Sequence, residues 1–176
     1  MRVIAQAMWN YQGKERPAFA IVPEPGQESV WDYPRPPIAK RCSRLVEVKY
    51  GDTVIASTAK SYRLMETASP PSFYLPPEDV NWNLLVESPG SSVCEWKGAA
   101  RYWALKSNGD VPIGWDYPRP RARFDMIKNH VSFYPGRVEC FVDGERVLPQ
   151  PGRFYGGWIT SDVVGPFKGE PGTGHW

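Results

Sequence analysis

The chain has 176 residues with a formal net charge of +2, and it contains 19 prolines and 16 glycines. This near balance of charge argues against a nucleic-acid-binding or membrane-surface protein, because both carry strongly basic surfaces. The 8 Trp, 9 Tyr and 7 Phe residues exclude a disordered chain, since disordered segments are poor in aromatic residues. We therefore expect one folded domain of short strands separated by many Pro- and Gly-containing turns.

Residues 1–28 are predicted to form an N-terminal arm that ends in a segment rich in Pro and Gly. The apolar run at its start is short and is broken by Gln6 and Asn10, which is atypical of a secretory signal. No window of the sequence approaches the apolar length of a membrane span. The sequence therefore predicts a cytoplasmic protein that has neither a membrane nor a nucleic acid as its partner.

Two β-hairpins are predicted from alternating apolar and polar residues on both sides of a tight turn. The first joins residues 45–50 to residues 53–57 through a Gly-Asp turn. The second joins residues 138–142 to residues 145–148 through an Asp-Gly turn.

A six-residue motif, Trp-Asp-Tyr-Pro-Arg-Pro, occurs at residues 31–36 (the first copy) and again at residues 115–120 (the second copy). A predicted hairpin follows each copy, although at unequal distances. The repeat indicates either a duplicated half, with two similar sheets leaning together, or two connectors that converged. In both cases the prolines hold the segment extended, so that its Trp and Tyr lose little entropy on binding or packing.

Further strands are predicted over residues 61–65 and 72–75, separated by a Pro-Pro pair, and over residues 93–106, the longest strand, with a β-bulge at Gly98. No segment has the periodicity of a long amphipathic helix. The fold class is therefore mainly β with little helix.

The cysteines and histidines do not predict a metal site. Cys42, Cys94 and Cys140 are an odd number and lie far apart, which argues against a disulfide framework. The sequence has no Cys-x-x-Cys pair, and its histidines are His130 and His175. We expect no bound metal and treat Cys42 and Cys140 as small buried apolar residues.

The most informative stretch is residues 94–103, Cys-Glu-Trp-Lys-Gly-Ala-Ala-Arg-Tyr-Trp. Its small residues leave space inside a strand, its aromatic residues would enclose that space, and Lys97 would supply one polar group. The same composition also suits a packed barrel core with a lysine that extends to the surface. In a straight strand, Lys97 and Trp103 share one face, whereas Trp96 and Tyr102 share the other.

Lys97, Glu66 and Cys94 are the candidate catalytic residues. Burial would lower the pKa of Lys97, so that its amine could act as a base, a Schiff-base amine or an anion anchor; the alternative is an exposed lysine whose stem covers Trp103. Glu66 is predicted to meet Lys97 in the cleft as a buried pair. Cys94 is either a nucleophile whose thiolate Lys97 stabilises, or an inert buried thiol.

Several motifs together resemble the bacterial and fungal domain-of-unknown-function family 427. The resemblance extends from about residue 30 to residue 148, and the tail at residues 157–173 is similar to some longer members. The motifs are residues 63–67 (Arg-Leu-Met-Glu-Thr), 70–80, 94–103, 115–120 and 131–134.

The resemblance implies a β-tent-like fold, in which two antiparallel sheets are pinned at one edge and splay at the other. We expect this domain at residues 29–150, with a C-terminal extension over residues 151–176. Many β-tent proteins bind zinc through paired Cys-x-x-Cys knuckles, which this sequence lacks, so neither zinc nor a cofactor is expected. A nucleotidyltransferase activity is not expected either, because no Gly-rich phosphate-binding loop is present.

Three functions remain open from the sequence. The leading hypothesis is a cleft that binds a small aromatic or anionic molecule anchored by Lys97, and the second is an enzyme that uses Lys97, Glu66 or Cys94. The third is a homodimeric scaffold whose aromatic residues form the interface. The predicted ligand-contacting residues are Lys97, Trp96, Tyr102, Trp103, Trp115, Tyr117, Arg63, Glu66 and Tyr134.

Overall fold

The structure is a computed structural model that describes residues 9–176. Over these residues the fold is mainly β, as predicted, with several antiparallel sheets and no closed barrel. The strands are β1 (Glu28–Ser29), β2 (Ile38–Cys42), β3 (Val46–Tyr50), β4 (Thr53–Thr58), β5 (Ser61–Glu66), β6 (Ser69–Tyr74), β7 (Leu85–Cys94), β8 (Gly98–Leu105), β9 (Asn108–Asp116), β10 (Ser132–Phe133), β11 (Glu139–Val142), β12 (Glu145–Arg146), β13 (Leu148–Pro149), β14 (Trp158–Ile159) and β15 (Val163–Val164).

The helical content of the described residues is limited to short 3-10 turns. Three of the four follow a residue in extended conformation, and the fourth follows Asn81, whose side chain caps it by accepting from the N–H of Asn83. They span Val30–Asp32, Pro77–Asp79, Trp82–Leu84 and Ala122–Ile127. The first eight residues of the predicted N-terminal arm lie outside the described residues.

Both predicted hairpins are confirmed, and they lie in one sheet. β3 pairs with β4 and β11 pairs with β12, and the two hairpins join through antiparallel pairing of β3 with β11, which gives the order β12-β11-β3-β4. Of the two alternatives for the repeat, a duplicated half with two similar sheets therefore does not hold for these hairpins. Their inward side chains, including Val48 opposite Cys140, are fully buried in the main core.

Two other sheets form the walls of the candidate site. One has the order β10-β9-β8-β7 and the other has the order β2-β5-β6. Pro70 and Pro71 lie inside β6, so the predicted break between two strands at the Pro-Pro pair is wrong. The sheet tolerates both prolines because β6 is its edge strand and its register with β5 shifts at this point, so that neither proline is a paired residue of the ladder.

The predicted single strand over residues 93–106 is also wrong. β7 ends at Cys94, residues 95–97 form a turn, and β8 begins at Gly98, which pairs back with Cys94. The backbone at Gly98 has a φ of 106°, a conformation that L-residues rarely adopt, so the glycine permits the chain to reverse here rather than bulge. As a result, Lys97 lies at the tip of a hairpin.

Three buried clusters organise the described chain. The main core lies between the hairpin sheet and β7–β10 and includes the fully buried Trp158. A second cluster joins β5 and β6 to β8 and β9 through aromatic side chains that include Tyr74 and Trp115. A third cluster surrounds Trp31 of the first copy.

Candidate ligand cavity

A cavity of about 580 Å³ opens between strands β5–β6 on one side and β7–β9 on the other. Residues 153–157 and Trp9 lie along its rim, and Lys168 contributes to its wall. Its volume is in the range that binds drug-sized molecules.

Successive side chains of β8 point to opposite faces of the sheet, and this alternation decides which of them reach the cavity. Ala100 and Tyr102 line the cavity, whereas Trp103 and Leu105 pack against the main core. Of the small residues at the start of β8, Ala100 therefore borders the open space, and Gly98 instead lies near the backbone of Arg119, whose carbonyl oxygen would be 3.5 Å from an added Cβ.

The structure brings most of the predicted site residues to the cavity and places two of them elsewhere. Trp103 packs edge-on against Trp82, with the ring centroids 4.8 Å apart. Arg63 forms a salt bridge with Glu28 at 2.8 Å, away from the cavity lining. Those that line the cavity are Glu66, Cys94, Trp96, Lys97, Tyr102, Trp115, Tyr117 and Tyr134.

Lys97 is buried, with 7% of its surface exposed, although it lies at a hairpin tip. The turn is held down because the backbone N–H of Arg121 donates to the carbonyl oxygen of Lys97 over 3.0 Å. The Nζ atom lies 5.7 Å from the centroid of the Tyr117 ring. No carboxylate of residues 9–176 forms a salt bridge with this Nζ.

The protonation of Lys97 differs from the sequence-based prediction. Burial lowers the pKa of this lysine, but the neighbouring Tyr74, Cys94 and Glu66 raise it more, Cys94 also as a hydrogen-bond partner, so that the net shift is upward. The predicted fall in pKa is therefore wrong, and the side chain is a cation at neutral pH. A buried ammonium suits the role of an anion anchor better than that of a base or a Schiff-base amine.

The predicted direct pair between Glu66 and Lys97 is also wrong. Glu66 instead pairs with Arg35, whose Nε lies 3.2 Å from Oε1. Arg35 is itself buried and also donates to the carbonyl oxygens of Tyr11, Thr67 and Trp176. Glu66 thus stays on the cavity wall, but its charge is already neutralised.

The aromatic wall of the cavity consists of rings that hold one another in place, namely those of Tyr74, Trp115, Tyr117 and Tyr134. The indole Nε1 of Trp115 donates to the hydroxyl of Tyr74 over 3.2 Å, and the Trp115 ring lies 4.6 Å from the ring of Tyr134. Burial raises the pKa of Tyr74 and of Tyr117, and it raises the pKa of Tyr134 to about 12. These hydroxyls therefore remain neutral and able to donate hydrogen bonds at physiological pH.

The three cysteines occupy different environments. Cys94 is half-buried and lines the cavity, whereas Cys42 is also half-buried but borders a separate, smaller pocket. Cys140 is buried in the main core, and this burial raises the pKa of its thiol well above the ordinary value. Cys42, outside the cavity, can therefore serve as a control for Cys94, which lies inside it.

A family model described as a domain of unknown function (DUF427) matches residues 38–144, which is more than half of the chain. The chain belongs to the DUF427 family. No curated protein matches its sequence.

The DUF427 match contains Lys97 and the aromatic wall, but part of the cavity lies outside the matched residues. Lys168 lines the cavity from the C-terminal side, and its Nζ lies 3.8 Å from the centroid of the Trp9 ring. Its Nζ also donates to the carbonyl oxygen of Gly174 over 3.1 Å. Burial, with Arg35 nearby, lowers the pKa of Lys168 to about 8.

Sequence reasoning missed the contributions of Trp9, Arg35 and Lys168. Arg35 belongs to the first copy, so the repeat could have drawn attention to it, but no local pattern shows that its side chain is buried. Trp9 precedes the DUF427 match and Lys168 follows it, and hydrophobic periodicity cannot predict a contact between residues so far apart in sequence.

The described residues contain neither a metal-ligand cluster nor a membrane-spanning helix. Across residues 9–176, no three His, Cys, Asp or Glu side chains come together as metal ligands. In the same part of the chain, no helix has the length and apolar character needed to cross a bilayer.

Proposed function

We propose that the protein binds a small organic anion in the cavity between β5–β6 and β7–β9, with Lys97 as the anchor. The observation that carries this proposal is a buried ammonium that faces a cavity without a carboxylate partner in residues 9–176. A buried charge is costly unless it is paired, so a bound anion would offset that cost.

Of the other cations on the cavity wall, Lys168 and Arg137 already have partners, and Arg153 is exposed to solvent. Lys168 donates to main-chain carbonyl oxygens. Arg137 donates to the carbonyl oxygen of Pro112 over 2.6 Å and stacks on the ring of Tyr134 at 4.2 Å. Lys97 therefore offers the most attractive position for an incoming anion.

The aromatic wall supports an organic ligand rather than a free inorganic ion. Flat rings that are fixed by mutual contacts, as Trp115 and Tyr134 are, give apolar contact area at little entropic cost. The same features favour binding over acid–base catalysis, because the carboxylate predicted to act with Lys97, that of Glu66, is held by Arg35.

The proposal is tested with 8-anilinonaphthalene-1-sulfonate, an aromatic anion whose fluorescence rises in an apolar site. We expect the Lys97→Met variant to bind this probe at least about tenfold more weakly than the wild type, which corresponds to ~1.4 kcal/mol. The control is Lys106→Met, which removes an exposed lysine and leaves the affinity unchanged. Equal affinities of the two variants would remove Lys97 as the anchor.

Cys94 gives an independent readout of where the probe binds. Saturating probe should slow the alkylation of Cys94 by iodoacetamide and leave the alkylation of Cys42 unchanged, because Cys42 lies outside the cavity. Peptide mass spectrometry follows both thiols in one sample. Equal protection of both cysteines, or of neither, would place the probe elsewhere.

A further inference from the structure

The two copies of the repeated motif have related surroundings, although their backbones differ. Trp31 begins the first copy in a 3-10 turn, whereas Trp115 begins the second at the end of β9. In each copy the motif tyrosine has a cation near its ring. Arg63 lies 5.7 Å from the centroid of Tyr33 in the first copy, and Lys97 lies 5.7 Å from the centroid of Tyr117 in the second.

In the first copy a carboxylate completes this arrangement. Oε2 of Glu28 accepts a hydrogen bond from the hydroxyl of Tyr33 over 2.7 Å. The same oxygen lies 2.8 Å from Nη1 of Arg63, and Nη2 of that arginine donates to the tyrosine hydroxyl over 3.0 Å. One carboxylate oxygen thus joins the motif tyrosine to its cation.

In the second copy, the described residues supply no carboxylate at this place. Lys97 forms no salt bridge within residues 9–176, and both Lys97 and Tyr117 border the open cavity. The chain thus fills this position in the first copy and leaves it open in the second.

The motif tryptophans show a parallel difference. Trp31 is surrounded by rings from distant parts of the chain, with Tyr11, Phe19 and Trp176 at centroid distances of 5.1, 5.2 and 5.2 Å. Trp115 has Tyr134 and Tyr74 beside it, at centroid distances of 4.6 and 6.2 Å, and Gly156 against its ring, and it also lines the cavity. An incoming aromatic ring would find the kind of surface that the chain's own rings cover in the first copy.

We infer that the ligand is an aromatic carboxylic acid. Its carboxylate would lie beside Lys97 and Tyr117 as the carboxylate of Glu28 lies beside Arg63 and Tyr33, and its ring would pack against Trp115. The inference rests on the proposed function and deepens it by naming the ligand class.

The charges around the cavity favour a monoanion over a phosphate dianion. Lys97 is the single buried ammonium on the wall without a salt bridge or a main-chain acceptor in the described residues, and Glu66 and Glu95 lie on the same wall. A second negative charge on the ligand would face the carboxylate of Glu95, since Arg35 already pairs with Glu66, and the further cation on the wall, Arg153, is exposed to solvent rather than buried. A carboxylate also reproduces the single-oxygen bridge that Glu28 makes.

Isothermal titration calorimetry with benzoate, 3-phenylpropionate and indole-3-propionate tests the inference. We expect at least one of these acids to bind with a Kd below about 1 mM. The neutral amide of that acid should bind at least about tenfold more weakly, because it cannot pair with Lys97. Its cyclohexyl analogue should also bind more weakly, because it lacks the flat ring.

Tyr117→Phe tests the predicted bridge without changing the shape of the wall. This variant should weaken binding of the acid about tenfold, which is typical of one hydrogen bond to a charged group. The matched control is Tyr33→Phe, which removes the equivalent hydroxyl from the first copy and leaves binding of the acid unchanged.

The outcomes separate this inference from the proposed function. The inference is overturned if none of the three acids binds, if phenyl phosphate binds more tightly than the best acid, or if the cyclohexyl analogue binds equally well. In each of these cases, Lys97-dependent binding of 8-anilinonaphthalene-1-sulfonate would leave the proposed function in place. Loss of that dependence as well would remove both.

Discussion

The repeated motif provides a test of how burial sets the strength of an ion pair. Its aspartate is Asp32 in the first copy and Asp116 in the second, and each forms a two-pronged pair with an arginine. The pair of Arg16 with Asp32 has N–O distances of 2.7 and 2.6 Å, and the pair of Arg101 with Asp116 has distances of 3.0 and 2.6 Å. The geometry is nearly the same, so burial is the main difference.

That difference in burial is large. The side chains of Arg16 and Asp32 are 40% and 48% exposed, whereas those of Arg101 and Asp116 are 31% and 0% exposed. Removing Arg101 leaves a fully buried carboxylate without its cation, which costs about 3–5 kcal/mol in a wholly buried pair. Because Arg101 is itself partly solvated, we expect a loss of about 2–3 kcal/mol for Arg101→Met.

The assay is urea unfolding followed by tryptophan fluorescence. At a typical slope of about 1–3 kcal/mol per molar urea, Arg101→Met should lower the midpoint by about 1 M. Arg16→Met should leave the midpoint unchanged, because water already solvates both of its partners. Asp116→Asn combined with Arg101→Met should recover part of the loss, since the buried group is then neutral.

Equal midpoints for Arg101→Met and Arg16→Met would refute this reasoning. So would a double variant no more stable than Arg101→Met alone, because the cost would then come from lost packing of the arginine on Trp103, which lies 4.8 Å from its guanidinium carbon. The two copies thus separate charge burial from pair geometry within one protein.

Two further predictions concern the cavity. Gly98→Ala should lower the free energy of unfolding in urea by about 1–3 kcal/mol, because a φ of 106° is strained for alanine, and it should weaken anion binding because this turn carries Lys97. Gly109→Ala is the control, since an added Cβ there makes only an ordinary contact at 3.6 Å. An equal loss of stability in both variants would contradict the strain argument. The pKa of Lys168 falls from 10.5 to about 8 on folding. Between these two pH values the unfolded chain therefore binds more protons than the folded chain. The free energy of unfolding then rises with pH, by at most ~1.4 kcal/mol per pH unit. Below pH 8 both states are protonated and this dependence vanishes. Urea unfolding from pH 7 to 10 should show this rise relative to Lys168→Met, and parallel curves for the two proteins would contradict the lowered pKa.

Local sequence patterns predicted the structure correctly where residues that are close in sequence are also close in space. Both hairpins are defined by alternation on either side of a glycine-containing turn, and the structure has both. The same rule failed at residues 93–106, because Gly98 reverses the chain instead of continuing it. Because of this turn, Lys97 lies at a hairpin tip and not in the same strand as Trp103, which packs against the main core.

The amino-acid sequence by itself determined the mainly β class, the hairpins and the aromatic residues around a lysine, because these depend on periodicity and composition over a few residues. Tertiary structure alone decided that Asp116 is buried while Asp32 is exposed, and that Lys168 meets Trp9. Identical motifs acquire different environments because burial depends on which distant segments pack over them. The first copy is covered by the chain's own arms, and the second is left facing a cavity.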